Sequence, residues 1–371
     1  MKRAALSFAC ILAASLAGAF AEEAAIGRID YVEGGATITR SSKILGEANI
    51  DDVLLSGDLI KTASDGLVVI AMDKSTGMNG SITVRAKTAL YIKVENVKGE
   101  KKTTVDLIAG SIGSKVTKLA GAPKMQVTTS NTVMGVRGTQ FLVSCSVNDA
   151  ILVACDEGQV FVTDGKEEIA VPAGKAVQKR LDERFISMPI ALSSAEEFRK
   201  NWIADEIEAF NANPVAALAG FEKRYSDYGV RFDKAFEPLA RSVVLKKWLD
   251  EDRAGVVPRA LDPNVMKEKK EIIGPLQSIR KVLFIYERLY YRVEEIVDLL
   301  AGGQYDRKEI KKGLTVGDFI RRYRDEKDGL GRRMALFRYA EKLYELRNEG
   351  GPSGSDEFFG SDSDFFGESD F

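Results

Sequence analysis

The sequence predicts a multidomain chain: an all-β unit, built as a sandwich or short solenoid, followed by an all-α helical bundle and a disordered tail. Three observations predict it. The first half is filled by short runs in which apolar and polar residues alternate, each broken by glycine or by Asp and Asn. From Phe198 onward apolar residues recur instead at spacings of three and four, the period of a helix with one buried face. The final stretch has neither pattern. At 371 residues the chain exceeds the usual size of one core. The expected division is a leader over 1–21, the β unit over 22–188, the helical unit over 193–348 and the tail over 349–371.

The first 21 residues have the charge and hydropathy of a cleavable signal peptide: Lys2-Arg3, a short apolar run, and Ala19-Phe20-Ala21 as the cleavage site. Cys10 lies inside the apolar run and follows no lipid-attachment box, so the expected product is not a lipoprotein. No later run reaches the roughly 18 apolar residues of a membrane span. The mature chain is therefore expected to be soluble and exported, periplasmic or secreted. In an oxidising compartment Cys145 and Cys155 form either a disulfide across the turn at Asn148-Asp149 or two buried thiols, and the spacing leaves both open. Histidine is absent, which removes the commonest general base, the commonest zinc ligand and every Ser-His or Cys-His nucleophile pair. Carboxylate pairs such as Asp51-Asp52 sit in loops with nothing to part their pKa values. No catalytic residue, cofactor site or metal site is expected, and the chain is read as non-enzymatic.

The β runs fall at 26–32, 36–40, 67–72, 81–84, 89–94 and 103–107, with no helical stretch between them to carry parallel crossovers. Glycine turns a corner before several strands. In Leu55-Ser56-Gly57-Asp58-Leu59, Gly57 supplies the positive φ and the Asp58 carboxylate accepts backbone N–H groups. Gly110, Gly158 and Gly174 repeat the device. Gly135-Val136-Arg137-Gly138 is not a phosphate loop, because the strand-like Thr139-Gln140-Phe141-Leu142-Val143 follows where such a loop needs a helix. Arg137 is expected to lock a bend.

These elements, in this order, resemble the FecR domain: the Gly57-Asp58 turn, Leu107-Ile108-Ala109-Gly110, the Arg137-Gly138-Thr139-x-Phe141 element, Glu157-Gly158-Gln159 and Pro172-Ala173-Gly174. The resemblance spans residues 26 to about 180 and implies an all-β periplasmic domain, known best as the sensing part of regulators of iron-uptake sigma factors. Gly57, Asp58, Gly110, Arg137, Gly138, Thr139, Phe141, Gly158 and Gly174 are its structural signature. The chain departs from those regulators: it shows neither their cytoplasmic anti-sigma segment nor their membrane span, and a helical region replaces their small α/β module.

In the second half Ser194-Ala195-Glu196-Glu197 reads as a capping box, and Asn213-Pro214 as an N-cap followed by a first-turn proline. The next helix is expected to stop before Gly229, a third to run from Arg231 to Asp252, and Pro258 and Pro263 to mark a loop. After Pro275, the residues Ile279, Leu283, Tyr286, Tyr290, Val293, Val297 and Leu300 alternate spacings of four and three, a coiled-coil seam widened by Val282, Leu289 and Ile296. A stripe so wide favours intramolecular packing over an oligomer interface. Gly302-Gly303 ends that helix, Thr315 starts another toward Arg324, Gly329 and Gly331 interrupt it, and a last one runs from Arg332 to Arg347. Residues 302–347 hold 13 basic and 8 acidic residues, interleaved as on a solvated face, and no nucleic-acid partner is expected.

The tail carries three acidic-aromatic units with Phe358, Phe359, Phe365, Phe366 and Phe371, among six acids and no base from residue 356 on. It cannot form a core of its own, and its repeated phenylalanines suit docking in a groove, in cis or in trans. The expected function is an envelope binding or scaffolding protein whose helices and tail engage envelope proteins, with homo-oligomerisation open. A periplasmic sensor of FecR type and a cell-wall polysaccharide binder are the competing readings.

Overall fold

The computed structural model describes residues 25–97, 100–117, 125–136, 138–180, 183–190, 195–256 and 262–347. The leader, the Phe-rich tail with Phe358, Phe359, Phe365, Phe366 and Phe371, Arg137 of the signature and Ser194 of the capping box lie outside these residues.

The β unit is a two-layered sandwich that the chain builds by stepping back and forth between layers. In chain order the strands are β1 (Gly27–Glu33), β2 (Ala36–Arg40), β3 (Lys43–Glu47), β4 (Val53–Leu54), β5 (Leu59–Thr62), β6 (Leu67–Met72), β7 (Gly80–Val84), β8 (Ala89–Val97) and β9 (Glu100–Ala109). They continue as β10 (Ser111–Val116), β11 (Met125–Thr128), β12 (Val133–Val136), β13 (Gln140–Cys145), β14 (Ile151–Glu157), β15 (Gln159–Thr163), β16 (Glu168–Pro172), β17 (Lys175–Lys179) and β18 (Ile186–Pro189). The first sheet has nine strands in the order β4-β1-β6-β7-β10-β13-β14-β17-β18, and the second nine in the order β3-β2-β5-β8-β9-β11-β12-β15-β16. Both orders follow the sequence almost monotonically, so the sandwich advances like a solenoid. The two architectures that the strand spacing left open are thus combined.

Alternation dictates the core. In β6 every second residue is buried, and Val68, Ile70 and Met72 meet Ile38, Ile60, Leu90, Val105 and Val127 of the opposite sheet. Strands β13 and β14 are buried on both faces, which is why they read as nearly continuous apolar runs. One expectation needs correction: β9 and β11 pair in parallel, Met125 beside Thr103. Their crossover is β10 in the other sheet, so no helix was needed to make it. The cysteine alternatives are also resolved. Cys145 faces Ile151 and Cys155 faces Phe141 across β13 and β14, so four register positions, about 13 Å, separate two free buried thiols. A disulfide spans at most about 6.8 Å between Cα atoms.

The helical unit has α1 (Ala195–Ala212), α2 (Pro214–Ala240), α3 (Val243–Arg253), α4 (Pro263–Leu299) and α5 (Val316–Leu346). Asn213 caps α2 with Pro214 in the first turn, and Thr315 caps α5 by accepting the Asp318 N–H, as the sequence predicts. Helices α2, α4 and α5 are longer than expected, whereas the helix expected from Arg231 to Asp252 is divided at Ser242, which caps the shorter α3. Helix α2 runs through Gly229, because a Cβ there would stand 2.9 Å from the Tyr286 hydroxyl: this glycine admits a neighbouring helix and does not end its own. Gly329 and Gly331 likewise sit within continuous α5, and Pro275 within α4, whose start is set by Asp262 and Pro263 thirteen residues earlier. A two-stranded hairpin, β19 (Glu309–Lys311) with β20 (Leu314–Thr315), fills the turn between α4 and α5 and was not foreseen. The seven-residue seam of α4 lies wholly inside the helical core, against Tyr225, Phe232, Phe319, Tyr323 and Phe337. No helix of the described residues is long and apolar enough to cross a membrane.

Candidate functional site

The signature residues hold turns. Asp58, 2% exposed, accepts the Leu55 N–H at 2.9 Å and the Arg40 guanidinium at 2.6 Å. Gly57, Gly110, Gly138, Gly158 and Gly174 all have positive φ. Gly138, Thr139 and Gly158 converge: a Cβ on Gly158 would meet the Gly138 carbonyl at 2.7 Å. Phe141 is buried in the sandwich core. Cys145 and Cys155 are there too, where burial pushes their thiols up to about 12 and about 11, far from the thiolate that reaction requires.

The chemistry gathers where the helices cover the sandwich. On the outer face of the first sheet the cover is largely apolar: Trp202 and Ala195 of α1 pack on Leu142, Leu152, Ala154 and Ala176, the Trp202 indole N–H donates to Gln178 at 2.7 Å, and the buried Glu206 of α1 accepts from Arg180 at 2.7 Å and Asn148 at 2.9 Å. On the outer face of the second sheet the cover is largely ionic. Arg288 of α4, 5% exposed, pairs with Asp106 of β9, which also accepts the Thr128 hydroxyl at 2.9 Å. Arg292, one turn on, reaches past this sheet to Asp149 in the β13–β14 turn of the first sheet at 3.3 Å, and Asp149 also takes Arg224 of α2 at 3.0 Å. Glu287 accepts the Tyr91 hydroxyl at 2.8 Å and the Arg338 guanidinium at 2.6 Å, with Arg338 4.8 Å from the centre of the Tyr91 ring. Burial works against the charge of Arg338, yet Glu287 and its other acidic neighbours outweigh it and hold the guanidinium protonated. Burial, then the Glu287 carboxylate, drives the Tyr91 phenol well above its ordinary range.

Between these pairs and the end of α5 the cover stands off the sheet and leaves a cleft of about 280 Å³. One wall is the outward row of β8, Tyr91, Lys93 and Glu95, at the strand period of two. The other is one face of α5, Gly331, Ala335, Arg338, Glu341, Lys342 and Glu345, at the helical period. Glu345 is exposed at the cleft, and the protein packed around it raises its carboxyl to about 7, Lys93 and Arg280 opposing the shift and Glu341 and Glu95 adding to it. The sequence marked Gly331 only as a helix break and Arg338 only as part of a basic, solvated face, and pointed to none of these residues as a site. The available signals were a strand whose polar face carries Tyr91, Lys93 and Glu95 in succession, and the pair Glu341 and Glu345 four residues apart.

A family model described as FecR protein matches residues 58–161, so the chain carries a FecR domain. The match begins at the Asp58 turn and ends in β15, inside a sandwich that extends beyond it on both sides. Two crystal structures of a candidate anti-sigma factor from Parabacteroides distasonis, at 1.65 Å and 2.50 Å resolution, each align with 13% identity and a TM-score of 0.33. Each alignment covers 38% of this chain and 63% of that one, so the chain spans less than two thirds of the length of those structures. That likeness is too slight to transfer fold or role. No curated protein matches the chain.

Proposed function

We propose that this protein is a non-enzymatic binding protein of the cell envelope. In this reading the FecR-containing sandwich and the helices act as one platform, and envelope proteins are engaged through the helices and the Phe-rich tail. The observation that carries the reading is the double cover: helices close on both outer faces of the sandwich, one mainly by apolar packing and one mainly by buried ion pairs, leaving a cleft of about 280 Å³ on the second side. The matched FecR domain supports a recognition role over catalysis. The signal-peptide pattern of residues 1–21 supports export. In-cell crosslinking with mass spectrometry, on the full chain and on a chain ending at Gly351, tests it: reproducible envelope partners that thin out without the tail support the reading, and no partner above background for either chain ends it.

A sensor of FecR type is the second reading, favoured by the family match itself. It requires that the set of crosslinked partners change when a ligand fills the cleft, whereas a scaffold keeps the same partners.

A further inference from the structure

We propose that the cleft between β8 and α5 is a binding site for a small zwitterion, a free amino acid or the end of a short peptide, whose ammonium group sits against Glu341 and Glu345. The inference rests on the binding-protein reading and names the ligand chemistry of its cleft.

Glu341 lines the cleft and is 5% exposed, yet its Oε1 atom accepts no hydrogen bond. The guanidiniums nearest its two oxygens stand off, Arg280 at 3.9 Å and Arg338 at 3.5 Å, ion-pair distances without a hydrogen bond to Oε1. An enclosed carboxylate oxygen without a donor is a costly arrangement that proteins otherwise avoid. The missing partner is a donor, and a charged donor serves best. Glu345 lies one turn further along α5 on the same face, so the two carboxylates face the same space.

The charges around Glu345 choose among donors. Glu341 on its own helix and Glu95 on β8 repel its negative form, while Lys93 on β8 and Arg280 on α4 attract it. The balance favours the protonated acid more than an open carboxylate would, in line with its raised carboxyl. A cation placed between Glu341 and Glu345 relieves that repulsion; a neutral sugar does not, and an anion adds to it. Lys93, on the wall opposite, is positioned to take the carboxylate end of the same ligand. Gly331 and Ala335, small residues on the same α5 face of the cleft, leave the room in which the ligand's carbon chain can lie.

The probe is L-lysine, with its doubly N-acetylated derivative and maltose as controls, titrated calorimetrically into the purified protein. Lysine keeps its side-chain ammonium between pH 6 and 8, since that group titrates near 10.4. The expected result is binding of lysine alone, weakened about tenfold or more by Glu345→Gln or Glu341→Gln, the loss of one charge-assisted contact. The affinity should fall as pH drops from 8 to 6 and Glu345 takes up its proton, and Glu345→Gln should flatten that dependence. Circular dichroism checks that both variants keep the fold; Glu345, facing the solvent of the cleft, is the safer of the two. Equal binding of maltose or of the acetylated derivative, or lysine binding indifferent to both substitutions, overturns the proposal. So does an absence of lysine binding; if crosslinked envelope partners persist in that case, the binding-protein reading survives and only the ligand assignment falls.

Discussion

The two faces of the sandwich are covered in different proportions of apolar and ionic contact. Over the first sheet, α1 lays Trp202, Phe198 and Ile203 on a floor of alanines and leucines, with one buried carboxylate, Glu206, held by Arg180 and Asn148. Over the second sheet, α4 is fastened by Arg288 to Asp106 and by Glu287 to Tyr91, while its Arg292 reaches Asp149 in the β13–β14 turn of the first sheet, and α5 stands away from β8 beyond them. Apolar side chains interdigitate because contact is their only gain. Ion pairs demand fixed geometry and full hydrogen bonding, so they fasten at points and leave space between. The ionic side is accordingly the side with the cleft, and residues that hold the two halves together also line it.

The largest test of this contrast removes a fastening charge. Asp106→Ala strands Arg288 in a buried site, and breaking such a pair costs about 3–5 kcal/mol; urea unfolding should show that loss, and a shift below about 1 kcal/mol would mean that the pair is not what holds α4. Trp202→Ala acts on the other face, where removing a buried indole costs about 3 kcal/mol. It should leave the binding properties of the cleft unchanged, and altered cleft binding in this variant would show the two covers to be coupled.

A smaller effect comes from Glu345. Its folded-state carboxyl is raised to about 7 by the protein packed around it, so the folded protein holds this proton more tightly than the unfolded chain, and stability falls as pH rises from the ordinary carboxylate range through about 7. Cleft water screens the effect, which is expected to stay within about 1 kcal/mol. Glu345→Gln should therefore raise the melting temperature at pH 8 relative to the parent and flatten the slope between pH 5 and 8; an unchanged slope would place the carboxylate in open solvent. The smallest expected change is from Glu294→Ala, which removes the half-exposed pair with Lys61, 2.6 Å long, at the rim of the same cover. About 0.5 kcal/mol is expected, and a loss as large as that of Asp106→Ala would erase the distinction between buried fasteners and rim pairs.

Much of the fold was legible in the sequence because it rests on local periodicity. Alternation at 67–72 and 89–94 announced strands, and the spacing of Ile279 to Leu300 announced a buried helical stripe. The misjudged boundaries share one cause. Gly229, Gly329 and Gly331 were read as breaks by local propensity, which costs about 1 kcal/mol for glycine inside a helix. Tertiary packing outweighed it, most plainly at Gly229, where a side chain would collide with Tyr286.

The site was not legible, for a different reason. Sequence by itself determined which residues alternate, which turns need glycine, and that a FecR-like β unit precedes a helical one, since each of these depends on near neighbours in the chain. Only the tertiary structure decided that Tyr91 meets Glu287 and Arg338, that Asp106 holds Arg288, and that Glu95 and Glu345 share a cleft. These partners lie from 51 to 250 residues apart, counting from Glu287 to Arg338 and from Glu95 to Glu345. No local period encodes such a pairing; it arises from how two covered sheets and five helices fill space together.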